Sequence, residues 1–312
     1  MKKFLKYIAI FAGLCLIMAV AIELLLLTQM NIYTYKRQYV ENHINTLKIL
    51  FLGNSHIEEA VDPKLVGENC FNMAISGRAL EYDYEIAKRY VPQMTNLKFL
   101  FLPLDYTRFN FGRGVKNPNE KRVSASEIDW NKLYNCMYYK YMGIRIKPFW
   151  CWSEIYNSGL NYMMRFVKSD EVNRECDELG YIALPLEKRN PNWKVRNMPA
   201  LIDTSKPVDT AQFNRLKEMY DTFAKLTQER GAKLILLGTP MYETYQKDLN
   251  PAVLQEITNF VADLKSRYDN VEYYDFTFDK RFQDEDFNDA SHLSEKGAPK
   301  FSKMLREIVE KK

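Results

Sequence analysis

The 312-residue chain is 46% hydrophobic and 27% charged, an ordinary globular composition with enough apolar mass for a sizeable core and no low-complexity tract. Its formal net charge is +4, of which the first thirty residues carry +2, with Lys2, Lys3 and Lys6 against Glu23. The remaining 41 basic and 39 acidic residues nearly cancel and form no basic stripe, so no nucleic-acid partner is expected.

Residues 7–27 are apolar but for Glu23, a stretch long enough to cross a hydrocarbon core of about 30 Å at about 1.5 Å per residue. The lysines crowd its N-terminal side, which keeps that end in the cytoplasm and sends the rest of the chain to the periplasm or cell exterior. Ala19-Val20-Ala21 offers a small-x-small cleavage site, but the apolar run continues through residues 22–27 and favours an uncleaved anchor. Cys15 follows Leu14 where a lipobox needs a small residue, which argues against lipidation. Residues 1–30 are thus read as cytoplasmic tail and transmembrane anchor in contact with membrane lipid, residues 31–46 as a stalk, and residues 47–312 as one outward-facing domain.

Within that domain, residues 47–52, 70–75, 98–104, 233–237 and 271–275 read as strands, and the first and third are apolar enough to be covered on both faces. Helices are expected at 82–91, 211–230, 253–268 and 296–310, the second stopped by Gly231 and the last capped by Ser294. Strands alternating with helices predict an α/β fold with a parallel sheet and helices on both faces, whose functional groups gather at the carboxyl ends of the strands. Residues 105–208 break this rhythm and hold all four tryptophans, Trp130, Trp150, Trp152 and Trp193, so they read as an aromatic-rich insertion or cap on that rim. Aromatic rings of this kind suit a sugar face, although any one of them is most simply packing between cap and sheet. Cys70, Cys136, Cys151 and Cys176 lie in the outward part, where disulfides form; three full pairings are open, and Cys70 also fits a buried strand position.

The first strand stops at Gly53-Asn54-Ser55-His56, a turn that presents the Ser55 hydroxyl. A neutral hydroxyl is a poor nucleophile and needs an adjacent base. Of the three histidines, His43 falls in the stalk and reads as solvated. His56 neighbours Ser55, and adjacent side chains usually diverge, which makes it the weaker base. His292 is preceded by Asp289 at a spacing that lets the carboxylate fix its tautomer and stabilise the imidazolium formed on proton transfer. The backbone N–H groups of Ser55 and of Gly77, after the second strand, are the candidate oxyanion donors. No cysteine or histidine spacing calls for a metal, and no Gly-rich phosphate loop calls for a nucleotide, so no cofactor is expected.

Gly53-Asn54-Ser55-His56, Asn72-Met73-Ala74-Ile75-Ser76-Gly77 and Asp289-Ala290-Ser291-His292-Leu293 resemble the first, second and fifth blocks of the SGNH/GDSL hydrolase superfamily, and with the anchor its membrane-bound DltD-like branch. The resemblance covers residues 47–104 and 210–310. It implies a flavodoxin-like three-layer α/β/α fold, Ser55 as nucleophile, His292 as base, Asp289 as its partner and Gly77 as an oxyanion donor. It also implies a serine esterase or O-acyltransferase acting on acyl esters, acetyl or similarly small, of an envelope or exported polysaccharide. Glycan or an acylated carrier would be the substrate, with a membrane acyl-transport partner. Asn54 replaces the aspartate of the first block. The third block's asparagine is missing: the third strand runs into Pro103-Leu104-Asp105-Tyr106-Thr107, and an ionised Asp105 would repel an oxyanion. Asn110 is the amide that could reach in from the insertion. The departure keeps open a second reading, a catalytically silent module that binds glycan or organises an envelope assembly.

Overall fold

The computed structural model describes residues 2–28, 32–78, 80–109, 176–195 and 210–311. The chain divides into two compact units. The smaller includes Met1–Gln38 and hence α1 (Lys2–Thr28), a helix of 27 residues along which Phe4, Tyr7, Phe11, Leu14 and Ile17 are exposed. Among the described residues no helix is long and apolar enough to cross a membrane, and the side chains of residues 22–28 lie outside the description. The stretch expected as a stalk contains a second helix, α2 (Ile32–Asn42).

The larger unit, Tyr39–Ile128 with Cys176–Lys312, holds one five-stranded sheet: β1 (Ile49–Phe51), β2 (Cys70–Asn72), β3 (Phe99–Pro103), β4 (Lys233–Gly238) and β5 (Val271–Asp275). Every pairing is parallel and the order is β2-β1-β3-β4-β5. That order is one of the two common doubly wound arrangements, with its switch point between β1 and β3.

Strand burial follows this order. β1, β2 and β3 are buried at every position, and β4 at all but Lys233. β5, at an edge, is half-exposed through Glu272, Tyr273 and Tyr274. Phe51 and Phe101 pair across β1 and β3 and stack at 4.3 Å, filling the centre of the sheet.

The connecting helices are α3 (Ser55–Glu58), α4 (Leu80–Tyr90), α5 (Tyr106–Phe109), α6 (Thr210–Glu229), α7 (Glu243–Gln246), α8 (Pro251–Arg267) and α9 (Gly297–Glu310). The β1-to-β2 connection steps one way across the sheet and the later ones step the other way. Right-handed crossovers therefore put α3 on one face and α4, α6 and α8 on the opposite one. Packing agrees: α4 lies against α6, while α9 lies against the short 3-10 turn Pro63–Leu65 that follows α3.

The expected elements all occur, some with shifted ends. β2 ends at Asn72, three residues before the expected end, although the Met73 and Ile75 amides still donate to Phe51 O (2.9 Å) and Gly53 O (3.0 Å) beyond it. The last helix begins at Gly297, and Ser294 caps it from two residues before its N-cap, accepting from the amides of Lys296 (3.2 Å) and Gly297 (3.3 Å). Cys70 is a buried free thiol whose titration burial pushes well above the usual range. Cys136, Cys151, Asn110, Trp130, Trp150, Trp152 and most of the insertion lie outside the described residues.

Candidate active site

The turn that carries Ser55 is fixed by its neighbours on several sides. Gly53 has φ +139, and a Cβ there would fall 2.8 Å from Pro103 Cδ and 2.9 Å from Ile57 Cγ1, so the turn is pressed onto the end of β3. The Gly53 amide donates to Asp83 Oδ1 (3.1 Å), itself paired with Arg78, and both charged side chains are buried. Asn54 is the N-cap of α3, its side chain accepting from the His56 amide (3.2 Å). Ser55 is therefore the first residue of a helical turn at the carboxyl end of β1. From the far side, the buried Asn72 amide donates to Val61 O (2.9 Å), Ile57 O (3.0 Å) and, more weakly, Glu58 O (3.4 Å), tying that turn to β2.

The imidazole comes from a bend after β5. Phe287 and Leu293 form an antiparallel bridge, the Asn288 amide donates to His292 O (2.9 Å), and the Tyr242 amide holds Ala290 O (2.9 Å). Asp289 organises the interior: Oδ1 accepts from the amides of Ser291 (2.8 Å) and His292 (3.0 Å) and from the Ser291 hydroxyl (3.1 Å). Both its oxygens lie 2.9 Å from His292 Nδ1. Burial raises the Asp289 carboxyl, but the hydrogen bond and charge of His292, with the Ser291 contacts, outweigh it and hold Asp289 well below the usual carboxylate range.

An ionised Asp289 assigns the proton of neutral His292 to Nδ1, leaving Nε2 as an acceptor. That nitrogen lies 2.9 Å from Ser55 Oγ. Ser55, His292 and Asp289, spread over 237 positions between hydroxyl and imidazole, thus form one hydroxyl–imidazole–carboxylate chain.

Gly77 sits in the exposed β2–α4 loop with φ +72. The neighbouring Ser76 amide is taken by Glu58 Oε2 (2.6 Å), whereas the Gly77 amide, expected as an oxyanion donor, makes no such contact among the described residues. The glycine answers the positive φ, not crowding, since a Cβ would meet nothing within 4 Å.

Further groups surround this triad. His56 does not diverge from the site as expected of a sequence neighbour: its ring lies 5.0 Å from that of His292, edge-on, and its Nδ1 is 2.9 Å from Asp105 Oδ2. Asp105, expected as a poor stand-in for the missing asparagine, is buried under that imidazole and also accepts from the Thr107 hydroxyl (2.7 Å). Glu59 Oε2 lies 3.8 Å from His292 Nε2. Burial raises the Glu59 carboxyl above its usual range, against the opposing charge of His292. The Ser76 hydroxyl lies 2.7 Å from Glu58 and 3.0 Å from Glu59. The sequence held at most a partial signal for His56: an aspartate ending a buried strand needs partners, and one is local, the Thr107 hydroxyl, while His56 is distant.

No family model matches the chain, and no curated protein matches it. It is similar in structure to a protein from Streptococcus pneumonia provisionally described as a platelet activating factor, at 16% identity over 93% of this chain and 99% of that one, with a TM-score of 0.44. It is also similar to a protein from Bacteroides fragilis provisionally described as an acylhydrolase, at 10% identity over 88% of this chain and 95% of that one, with a TM-score of 0.41. At TM-scores below 0.5 neither likeness bears on chemistry.

Proposed function

We propose that the chain is a membrane-anchored serine esterase or O-acyltransferase of the SGNH type, acting on small acyl esters, acetyl foremost, of an envelope or exported polysaccharide. The observation that supports this is the 2.9 Å contact of Ser55 Oγ with His292 Nε2, whose other nitrogen rests on Asp289. A base at hydrogen-bond distance, itself oriented by a carboxylate, is the arrangement that activates a neutral alcohol.

In this reading Ser55 Oγ attacks the ester carbonyl as its proton passes to His292 Nε2. The new C–O bond forms while the carbonyl π pair moves onto oxygen, and donors such as the Gly77 and Ser55 amides stabilise that charge. Collapse expels the alcohol, which takes the proton from His292 and leaves an acyl-serine. Water or a sugar hydroxyl then attacks, giving its proton to His292, and the second collapse returns that proton to Ser55 Oγ. The first acceptor makes the protein an esterase and the second an acyltransferase.

The anchor rests on the apolar residues 7–27 within α1 and the flanking Lys2, Lys3 and Lys6. It places the site at the periplasmic or outer face of the cytoplasmic membrane. The DltD-like branch, and with it a membrane partner that delivers the acyl group, rests on motif resemblance alone. The silent-module reading is favoured by one observation, a carboxylate at Asp105 where the motif has an amide.

The test is labelling of the full-length protein with a fluorophosphonate, with the modified residue mapped, beside a Ser55→Ala variant. The expected result is one adduct on Ser55, absent in Ser55→Ala, together with loss of ester turnover at normal expression. A wild-type protein that neither labels nor turns over an ester, while Ser55→Ala keeps full biological activity, overturns the enzymatic reading in favour of the silent module.

A further inference from the structure

The base of the site has a neighbour that the proposed reaction does not use. Ser55 and Glu59 are four residues apart in the helical turn after β1, and the Glu59 amide donates to Ser55 O (3.0 Å), so hydroxyl and carboxyl rise from one face of that turn. Glu59 Oε1 lies 3.0 Å from the Ser76 hydroxyl of the β2–α4 loop. Glu59 Oε2 lies 3.8 Å from His292 Nε2, the nitrogen that holds Ser55 Oγ. Oε2 makes no hydrogen bond among the described residues and is not among the atoms closed off from solvent. A half-buried carboxyl is thus held through one oxygen and turns the other toward the base.

Resting on the proposed acyl transfer at Ser55, we infer that Glu59 selects esters whose alcohol carries a second hydroxyl on the adjacent carbon, by accepting a hydrogen bond from that hydroxyl at Oε2. The alcohol oxygen that leaves on acylation, and the one that enters on deacylation, exchange a proton with His292 Nε2 and so stand about 2.6–3.2 Å from it. Oε2, 3.8 Å from the same nitrogen, is within reach of a group beside that oxygen. It is no partner for the oxygen's own proton, which passes to or from His292. It suits a second donor, either the other hydrogen of a water or a hydroxyl on the next carbon of a sugar. That hydroxyl keeps its proton throughout, and the transfer steps are unchanged. Burial raises the Glu59 carboxyl against the charge of His292, but both protonation states offer an acceptor oxygen, so the contact does not turn on the titration of the group. A monoalcohol that covers Oε2 leaves it without a partner, which costs binding. A sugar ring with hydroxyls on neighbouring carbons satisfies the imidazole and the carboxyl together.

The experiment uses the full-length protein in detergent and three acetate esters: 2-hydroxyethyl, 2-methoxyethyl and ethyl acetate. Each kcat/KM is divided by the rate of base hydrolysis of the same ester, which removes differences in leaving-group reactivity. The methoxy ester lacks only the donor, and the ethyl ester tests for crowding. The wild type is expected to favour the hydroxyethyl ester over both others by about tenfold, the weight of one hydrogen bond. Glu59→Ala and Glu59→Leu, the second filling the space without an acceptor, are expected to lose that preference, with the three corrected values falling within about threefold of one another. Ratios taken within one preparation do not depend on how much of it is folded, and thermal unfolding checks that each variant folds. The proposal is overturned if the wild type shows no preference for the hydroxyethyl ester, or if either folded variant keeps the preference. The wild-type comparison decides the matter even if neither variant folds. Fluorophosphonate labelling of Ser55 in the same samples confines such a failure to Glu59, whereas wild-type protein inert to the label and to all three esters overturns the Ser55 reading and this one with it.

Discussion

Replacing Asp289 by asparagine tests the site with the least disturbance of shape. The side-chain oxygen now takes two backbone amides, at 2.8 and 3.0 Å, and those contacts hold the asparagine oxygen in the same place. The NH₂ group then faces His292 Nδ1, 2.9 Å away, and two donors cannot share that line. Oδ1 stays 2.9 Å from Nδ1, but without the carboxylate charge and beside a competing NH₂ donor the ring shifts toward the tautomer protonated on Nε2, which points that proton at Ser55 Oγ and cannot accept. Loss of the correct tautomer in this arrangement costs about 10⁴ in kcat, or about 5.4 kcal/mol of transition-state stabilisation. Steady-state turnover of an activated acetyl ester reads the loss directly, with KM expected to change little because Asp289 does not touch substrate in the proposed reaction. The same substitution has a signature in stability. Asp289 titrates below its ordinary value in the folded state, so it stabilises the fold above the unfolded-state value of about 3.9 and loses that contribution as pH falls through the folded one. Urea midpoints of the wild type should therefore fall more steeply below about pH 4 than those of Asp289→Asn. A folded Asp289→Asn protein with kcat within tenfold of wild type would refute the assignment of His292 as the base.

Three substitutions address the frame that holds the nucleophile. Asp83→Ala leaves Arg78 buried beside the Gly53 turn without its carboxylate, and a loss of about 3–5 kcal/mol is expected in urea unfolding, against less than about 1 kcal/mol for removing the exposed Lys247–Glu243 pair. Asn72→Ala removes the donor to Ile57 O and Val61 O, with an expected loss of about 2–3 kcal/mol and a slower Ser55 labelling rate; unchanged labelling with the full stability loss would separate the two effects. Gly53→Ala combines a strained φ with a Cβ 2.8 Å from the Pro103 ring, and about 2–4 kcal/mol should be lost, detectable as a lowered melting temperature.

The sheet was legible because its interior strands are apolar on both faces, a pattern that helices of this length do not share. β5, partly exposed, was still found with its observed ends, residues 271–275. The convergence of Ser55 with Asp289 and His292 was also legible, because a parallel sheet gathers strand ends on one rim whatever the separation in sequence. The second imidazole was not. Neighbouring residues on an extended chain point apart, and only the helical turn begun by Asn54 swings His56 back toward the rim, where Asp105 waits. That partner lies 49 positions away, and nothing local to either residue marks the pair. The inward role of Asn72 was likewise hidden, since its ties run to backbone carbonyls, which every residue has.

The two halves of the candidate triad differ in their mounting. The alcohol sits on a turn bolted to β2 by Asn72 and to β3 by the Gly53 contact, both inside the buried sheet. The imidazole rides on a bend held by the bridge of Phe287 with Leu293, by hydrogen bonds within the bend itself, and by the tether through Ala290 O. Under the proposed reaction, an ester entering between them would meet a wall anchored in the sheet and a wall formed by a bend outside it, and accommodation is expected on the imidazole side. Native-state hydrogen exchange should show this asymmetry, with amides of residues 288–292 opening well before those of 57–59; equal protection would mean the cleft is stiff throughout and admits only substrates that already fit.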